Sequence, residues 1–333
     1  MRGDEQPSDL PGHGVLVSEA PLHPQPATPL EPKPRRQGGD LRPRLLTAAI
    51  LIPAVIYVIT QGGLTYLAVV VIIVLLGEYE IYELLREKGA HPAVGLGMVA
   101  GALLPVISFY GSVNWSTIMI TAALLATMVM ELRRQRINEA MASISGTFFG
   151  IVYVGWLLSH AVVLRNFDHS VIDHYGAGAA ARLGVEAGTG AFLMLYTLFV
   201  VVLCDAGAYF AGRAYGRRKL ASAISPGKTV EGALGGILAG VVGGCLAKAG
   251  SDVFWPQFSH LLDWQATVGF AVILAIVGIV GDLTESLLKR DADVKDAGRL
   301  LPGMGGVLDR IDAPLLAIPV MYYLMLFYVY PRI

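Results

Sequence analysis

Nine apolar runs follow one another after Arg44, at about 45–60, 64–85, 93–111, 115–131, 143–164, 190–212, 230–249, 266–288 and 313–330. Each approaches the length needed to cross about 30 Å of hydrocarbon. Inside a bilayer only helices and closed barrels satisfy the backbone, and apolarity that is continuous rather than alternating selects helices. The expected fold is therefore all-α: a polytopic integral membrane protein with about nine transmembrane helices. Pro53, Pro314 and Pro319 interrupt the first and last runs, so those boundaries are the least sharp. Composition agrees, since 54% of the 333 residues are hydrophobic and 15% charged, against about 25% charged in soluble domains. A formal net charge of −1 offers no basic excess for a polyanion, so no nucleic-acid partner is expected. Cys204 and Cys245 both lie in apolar runs and define neither a disulfide framework nor a thiolate metal site.

Residues 1–43 contain nine of the 18 prolines and no sustained apolar periodicity. Such a stretch is expected to be a disordered cytoplasmic tail, and it lacks the basic-then-apolar layout of a cleaved signal peptide. Residues 44–333 form the expected membrane domain.

Lysine and arginine placement predicts the orientation. With the tail inside, it and the four loops on its side hold 21 of the 25 basic residues. Arg165, Arg182, Lys248 and Arg332 are left for the other side. The positive-inside bias predicts an inside N-terminus, an outside C-terminus and a plasma (inner) membrane protein whose charged loops face the cytoplasm. On the seventh run, Gly232, Gly235, Gly236, Gly240, Gly243 and Gly244 predict close packing of helix backbones.

Two cytoplasmic loops with their flanks carry the polar information. The first includes Asp205, Arg213, Ser225, Lys228 and Glu231; the second runs from Gly281 to Asp312. Residues 282–312 hold 12 of the chain's 51 charged side chains. Asp205 and Asp282 lie near the inner ends of apolar helices, where an ionised carboxylate is costly unless paired or metal-bound. A plain ion pair of Asp205 with Arg213 or Arg217 is the alternative. Glu285 and Lys289 follow Asp282 at i+3 and i+7, on one helix face, and Asp309 and Asp312 are again three apart. Carboxylates converging from separate helices, without histidine or cysteine, suit a hard cation such as Mg²⁺. Lys228, Lys289, Arg290, Lys295, Arg299 and Arg310 suit phosphate oxygens. Metal and basic groups together point to phosphoryl-type chemistry. Gly305 and Gly306, after Pro302-Gly303-Met304, form a flexible turn that lets backbone approach a ligand. Gly227-Lys228-Thr229 resembles the end of a phosphate-binding P-loop, but Ser222 stands where that loop needs glycine and no strand is expected before it. A P-loop is rejected.

The run from Ser286-Leu-Leu-Lys-Arg through Lys295-Asp-Ala-Gly-Arg-Leu-Leu-Pro-Gly-Met-Gly-Gly-Val-Leu-Asp-Arg-Ile-Asp312 resembles the signature of the phosphatidate cytidylyltransferase (CDP-diacylglycerol synthase) family. Asp205, Ala208-Tyr209, Gly212-Arg213, Ser225-Pro226, Lys228-Thr229 and Glu231-Gly232 are similar to its second block. The resemblance implies that CTP and phosphatidic acid give CDP-diacylglycerol and pyrophosphate, with Mg²⁺ alone or with a second cation, in a homodimer within the lipid bilayer. Carried over by position, it implies a catalytic set of Asp282, Asp309, Lys289 and Arg310. Metal ligands would be Asp282, Asp309, Asp312 and Asp205. Substrate would meet Ser225, Lys228, Glu231, Arg290, Lys295, Asp296, Gly305 and Gly306. The family has histidine where this chain has Met304, whose thioether donates no proton. A phosphate monoester, with a second pKa of about 6, is mostly dianionic at neutral pH, so a slower rather than an absent reaction is expected. The rival readings are a cytidylyltransferase for another lipid phosphate, a CTP-dependent polyprenol or phytol kinase, and a cation-coupled transporter.

Overall fold

In a computed structural model, residues 41–111, 113–134, 137–298 and 305–332 are described, with the side chains of 41–48 and of 113 left aside. The expected tail, Arg299 and Met304 lie outside the described residues. Helices occupy all nine apolar runs: α1 (Leu41–Gln61), α2 (Gly63–Glu87), α3 (Val94–Tyr110) and α4 (Val113–Arg134). A fifth segment is built from α5 (Ala140–Gly150), a π-helical stretch (Ile151–Trp156) and α6 (Leu157–Arg165). Seven of the described helices are long and apolar enough to cross a membrane, while Ala49–Gln61 and Val94–Tyr110 are shorter apolar helices. The chain is an all-α polytopic membrane protein.

Between the fifth and sixth runs, α7 (Phe167–Tyr175) and α8 (Ala177–Leu183) are short helices that hydropathy alone does not mark. Gly184 ends α8 in the left-handed conformation, φ +73°, the usual glycine stop. The remaining helices are α9 (Thr189–Tyr215), α10 (Val230–Phe254), α11 (Pro256–Ser259), α12 (Trp264–Asp291) and α13 (Leu308–Val329). The expectation of no strand before Lys228 is corrected. Strands β1 (Lys219–Ala221) and β2 (Ser225–Thr229) form an antiparallel hairpin that leads directly into α10. It is too short for alternation to reveal, and without a glycine at 222 it is still no P-loop.

Glycines do the packing work assigned to them, and within the chain. A Cβ on Gly236 would come within 2.8 Å of the Cys204 carbonyl, and one on Gly232 within 2.9 Å of the Ala208 carbonyl. Helices α9 and α10 therefore touch backbone to backbone, which residues with side chains would prevent. Thr229 caps α10 by accepting a hydrogen bond from Gly232 N at 3.1 Å. Gly281 lets α12 and α13 cross closely, since a Cβ there would lie 2.5 Å from the Asp312 carbonyl. Two acid-bearing helix ends meet at that crossing. The larger of two apolar clusters among the described residues runs from Tyr66 and Val74 on α2 through Leu193 on α9 to Leu315 and Met321 on α13, and a smaller one joins α3, α4 and the π-helical stretch through Leu104, Ala123 and Ile151.

Candidate active site

The C-terminal end of α9, the hairpin, the N-terminal end of α10, the C-terminal end of α12 and the N-terminal end of α13 surround a cavity of about 590 Å³. Asp205, Arg213, Ser225, Lys228, Asp282, Asp309 and Asp312 line it. Helical spacing delivers the acids: Asp282 and Glu285 share one face of α12, and Asp309 and Asp312 one face of α13. Asp282, Glu285 and Asp312 each present a carboxylate oxygen within 4.8 Å of the other two. Glu285 is 1% exposed, and its Oε1 has no hydrogen-bond partner among the described residues.

Two lysines offset part of this charge. Lys228 Nζ reaches across from β2 to Asp282 Oδ2 at 2.5 Å. Lys289 Nζ sits between Glu285 Oε2 at 2.5 Å and Asp309 Oδ1 at 2.7 Å. Asp309 is occupied further: Gly306 N donates to its Oδ2 at 2.8 Å and Ala297 N at 3.1 Å. Asp309 thus ties the segment before α13 to α12, while Asp282, Glu285 and Asp312 form an oxygen cluster beside the cavity in which Asp282 and Glu285 each pair one oxygen with a lysine. Like charges this close repel strongly, and an all-oxygen donor set with one orphaned buried oxygen fits a hard divalent cation such as Mg²⁺.

Sequence reasoning brought most of the cavity lining into view, though not every assigned residue lies there. Glu231 turns away, accepting hydrogen bonds from the backbone N–H of Arg217 at 3.0 Å and Arg218 at 3.1 Å, and it pairs with the Arg218 side chain at 3.2 Å. It shapes the turn after α9. Arg290, exposed, donates from Nε to the Ile224 carbonyl at 3.3 Å and so leans the hairpin on α12. Lys295, Asp296 and Arg310 are exposed and outside the lining. Gly305 adopts φ +86°, and a Cβ there would lie 2.6 Å from Asp309 Oδ2, so only glycine suits that turn. Gly306 contributes its N–H to Asp309. Glu285 stands in the sequence at i+3 from Asp282 with no role assigned by its spacing, and Arg213 is marked there only as a pairing partner for Asp205 and as part of the second block. Glu80, 1% exposed on α2, escaped notice; its only signal was a charge inside an apolar run.

Residues 42–328 match the model of the cytidylyltransferase family. Among curated proteins, phosphatidate cytidylyltransferase 5, chloroplastic, of Arabidopsis thaliana is 35% identical over 272 residues, covering 77% of this chain and 64% of that protein. The phosphatidate cytidylyltransferase of a Synechocystis species is 31% identical over 298 residues, covering 84% and 94%. That of Bacillus subtilis is 30% identical over 295 residues, covering 86% and 98%. This chain thus spans less than two thirds of the Arabidopsis relative and nearly all of the two bacterial ones. An acid-lined cavity at one end of a helical membrane bundle, together with a match over most of the chain, places this protein in the cytidylyltransferase family.

Proposed function

We propose that the chain transfers the cytidylyl group of CTP to phosphatidate, giving CDP-diacylglycerol and pyrophosphate. The observation that carries this reading is the convergence of Asp282, Glu285 and Asp312 beside a cavity that Lys228 and Arg213 also line. In that reading an oxygen of the phosphatidate monoester bonds to the α-phosphorus of CTP. The bond from that phosphorus to its bridging oxygen breaks, and the electron pair leaves with pyrophosphate. The dianionic monoester is its own nucleophile, which accords with a chain that has Met304 in the neighbouring segment.

Asp282, Glu285 and Asp312 would hold Mg²⁺, with Asp205 on the same wall. A bound Mg²⁺ supplies charge neutralisation and orientation to a triphosphate. Lys228 and Arg213 face the cavity with cationic groups suited to phosphate oxygens. Lys289 keeps Glu285 and Asp309 from repelling each other out of position.

The cavity would face the cytoplasm, because the loops at that end belong to the side holding 21 of 25 basic residues. Soluble CTP and a lipid phosphate could meet there. An inside N-terminus, an outside C-terminus and a homodimer complete the proposal. The decisive experiment incubates purified full-length chain with labelled CTP and phosphatidate, with Mg²⁺ present or chelated. CDP-diacylglycerol and pyrophosphate that vanish on chelation are expected. Release of CDP with a phosphorylated alcohol would instead identify a kinase, and solute uptake into proteoliposomes without CTP a transporter.

A further inference from the structure

Helix α13 begins with a deficit that its own sequence cannot fill. The first N–H groups of a helix have no partner inside it. The residue at the capping position is Val307, whose side chain accepts nothing. The missing acceptor comes from α2. Glu80 Oε1 accepts from Val307 N at 2.9 Å and Oε2 from Leu308 N at 2.7 Å, across 227 and 228 residues of sequence. Its carboxylate also fits against two glycines. A Cβ on Gly306 would lie 2.5 and 2.6 Å from its two oxygens, and one on Gly298 would lie 2.7 Å from its carboxyl carbon. No salt bridge of Glu80 occurs among the described residues, so its charge is spent on the positive end of a helix.

The consequence concerns the acids downstream. Asp309 directly follows Leu308, and Asp312 stands one helical turn beyond it. A slip of one residue at this start rotates the helix by about 100°, which would remove Asp312 from Asp282 and Glu285. Asp309 secures the same junction from inside α13 through Gly306 and Ala297, so two carboxylates from two helices fix one turn.

We infer that Glu80 is a positioning residue for the acidic cluster: by binding the N-terminus of α13 from α2, it sets the rotation at which Asp312 joins Asp282 and Glu285. This rests on the proposed divalent-cation site, so the test must separate the two. Full-length wild type, Glu80→Gln and Gly306→Ala are compared for Mn²⁺ affinity by titration calorimetry, for deuterium uptake over residues 305–312, and for melting temperature. Glutamine keeps the shape but aims an amide donor at one of the two N–H groups. The Gly306 methyl pushes the carboxylate away while leaving Glu80 intact.

Both variants should lose about tenfold in Mn²⁺ affinity, the range for groups that orient metal ligands. Both should take up deuterium faster over 305–312 and melt close to wild type. In turnover, higher Mg²⁺ should restore rate, with KM for phosphatidate unchanged. Unchanged Mn²⁺ affinity and unchanged uptake in both variants would overturn the inference, as would an affinity loss that only follows a general fall in melting temperature. If Glu80→Gln does not fold, Gly306→Ala decides by the same measurements. A wild type that binds Mn²⁺ yet turns over no CTP sinks the proposed reaction and leaves Glu80's role standing. A wild type that binds no Mn²⁺ sinks the metal reading, and deuterium uptake alone then decides whether Glu80 holds the turn.

Discussion

The two ends of the helix bundle both carry charge, and they treat it differently. At the end away from the cavity, Lys248 pairs with Asp252, which also accepts from Ser259 Oγ at 2.6 Å. Asp263 caps α12 at Ala266 N, accepts from Tyr328 at 2.9 Å, and pairs with Arg332 at 3.2 Å. The Arg332 guanidinium lies 3.6 Å over the Tyr328 ring. These two acids meet two cations, and each has its partners, whereas buried Asp168 at the same end accepts from Gly188 N with Oδ2 and keeps Oδ1 without a partner among the described residues. In and directly beside the cavity, Asp205, Asp282, Glu285, Asp309 and Asp312 stand with Lys228, Lys289 and Arg213, so acids outnumber cations within that group. The pairs at Asp252 and Asp263 are closed fastenings; the group around the cavity keeps oxygens in reserve. Charge at a helix end is thus weak evidence of a site, whereas an excess of one sign held together by the fold is strong evidence.

This contrast can be broken in graded steps. Asp282→Asn and Asp312→Asn should each lower cytidylyl transfer by at least about 100-fold, read with labelled CTP; full activity in both would remove the cation assignment. Next is Lys289→Met, which leaves Glu285 and Asp309 facing each other without a cation. Stripping one partner from a buried charge group should cost about 3 kcal/mol, seen as a lower melting temperature together with lost turnover. Away from the cavity, Lys248→Met should cost about 1–2 kcal/mol, because Asp252 keeps Ser259; kcat should be unchanged, and a large drop in it would erase the distinction between the two groups.

Asp263→Asn should be the mildest, under about 1 kcal/mol, since the pair is exposed. The Ala266 N–H, then Tyr328 and Arg332, hold the Asp263 carboxyl below the usual carboxylate range. A group whose folded pKa is depressed stabilises above its unfolded value of about 3.9 and loses that contribution as pH falls through the folded one. The acid side of a melting-temperature profile should therefore flatten slightly in Asp263→Asn. An identical profile would show that this fastening contributes nothing.

The helices were legible because hydrocarbon permits so little else: a run such as 266–288 has one solution, and α12 is it. Asp282 and Asp312 were legible for the related reason that charge beside an apolar run needs a purpose. What escaped depends on contacts between distant parts of the chain. Glu231 resembled a cleft residue until the turn after α9 brought Arg217 and Arg218 N–H groups to it. Glu80 meets its partners only once α2 and α13 are packed. Strand β1 has three residues, too few to show a period. Likewise, the π-helical stretch sits where Gly155 faces Gly101 and Glu78, a crowding that no local pattern announces.

The seam between α9 and α10 makes the bundle behave as a lever. Gly244 lies 14 residues into α10, about 21 Å from the end that bears the hairpin and Lys228. A methyl there would meet the Ala271 Cβ and the Tyr196 hydroxyl, both at 3.0 Å. Neither neighbour is free to retreat, because Ala271 belongs to α12 and Tyr196 is fixed by its hydrogen bond to the Thr267 carbonyl at 2.5 Å. A wedge at that fulcrum tilts a stiff rod, and the displacement grows toward the far end. A change in the middle of the bundle therefore has a rigid path toward the ion pair of Lys228 with Asp282 without touching the cavity.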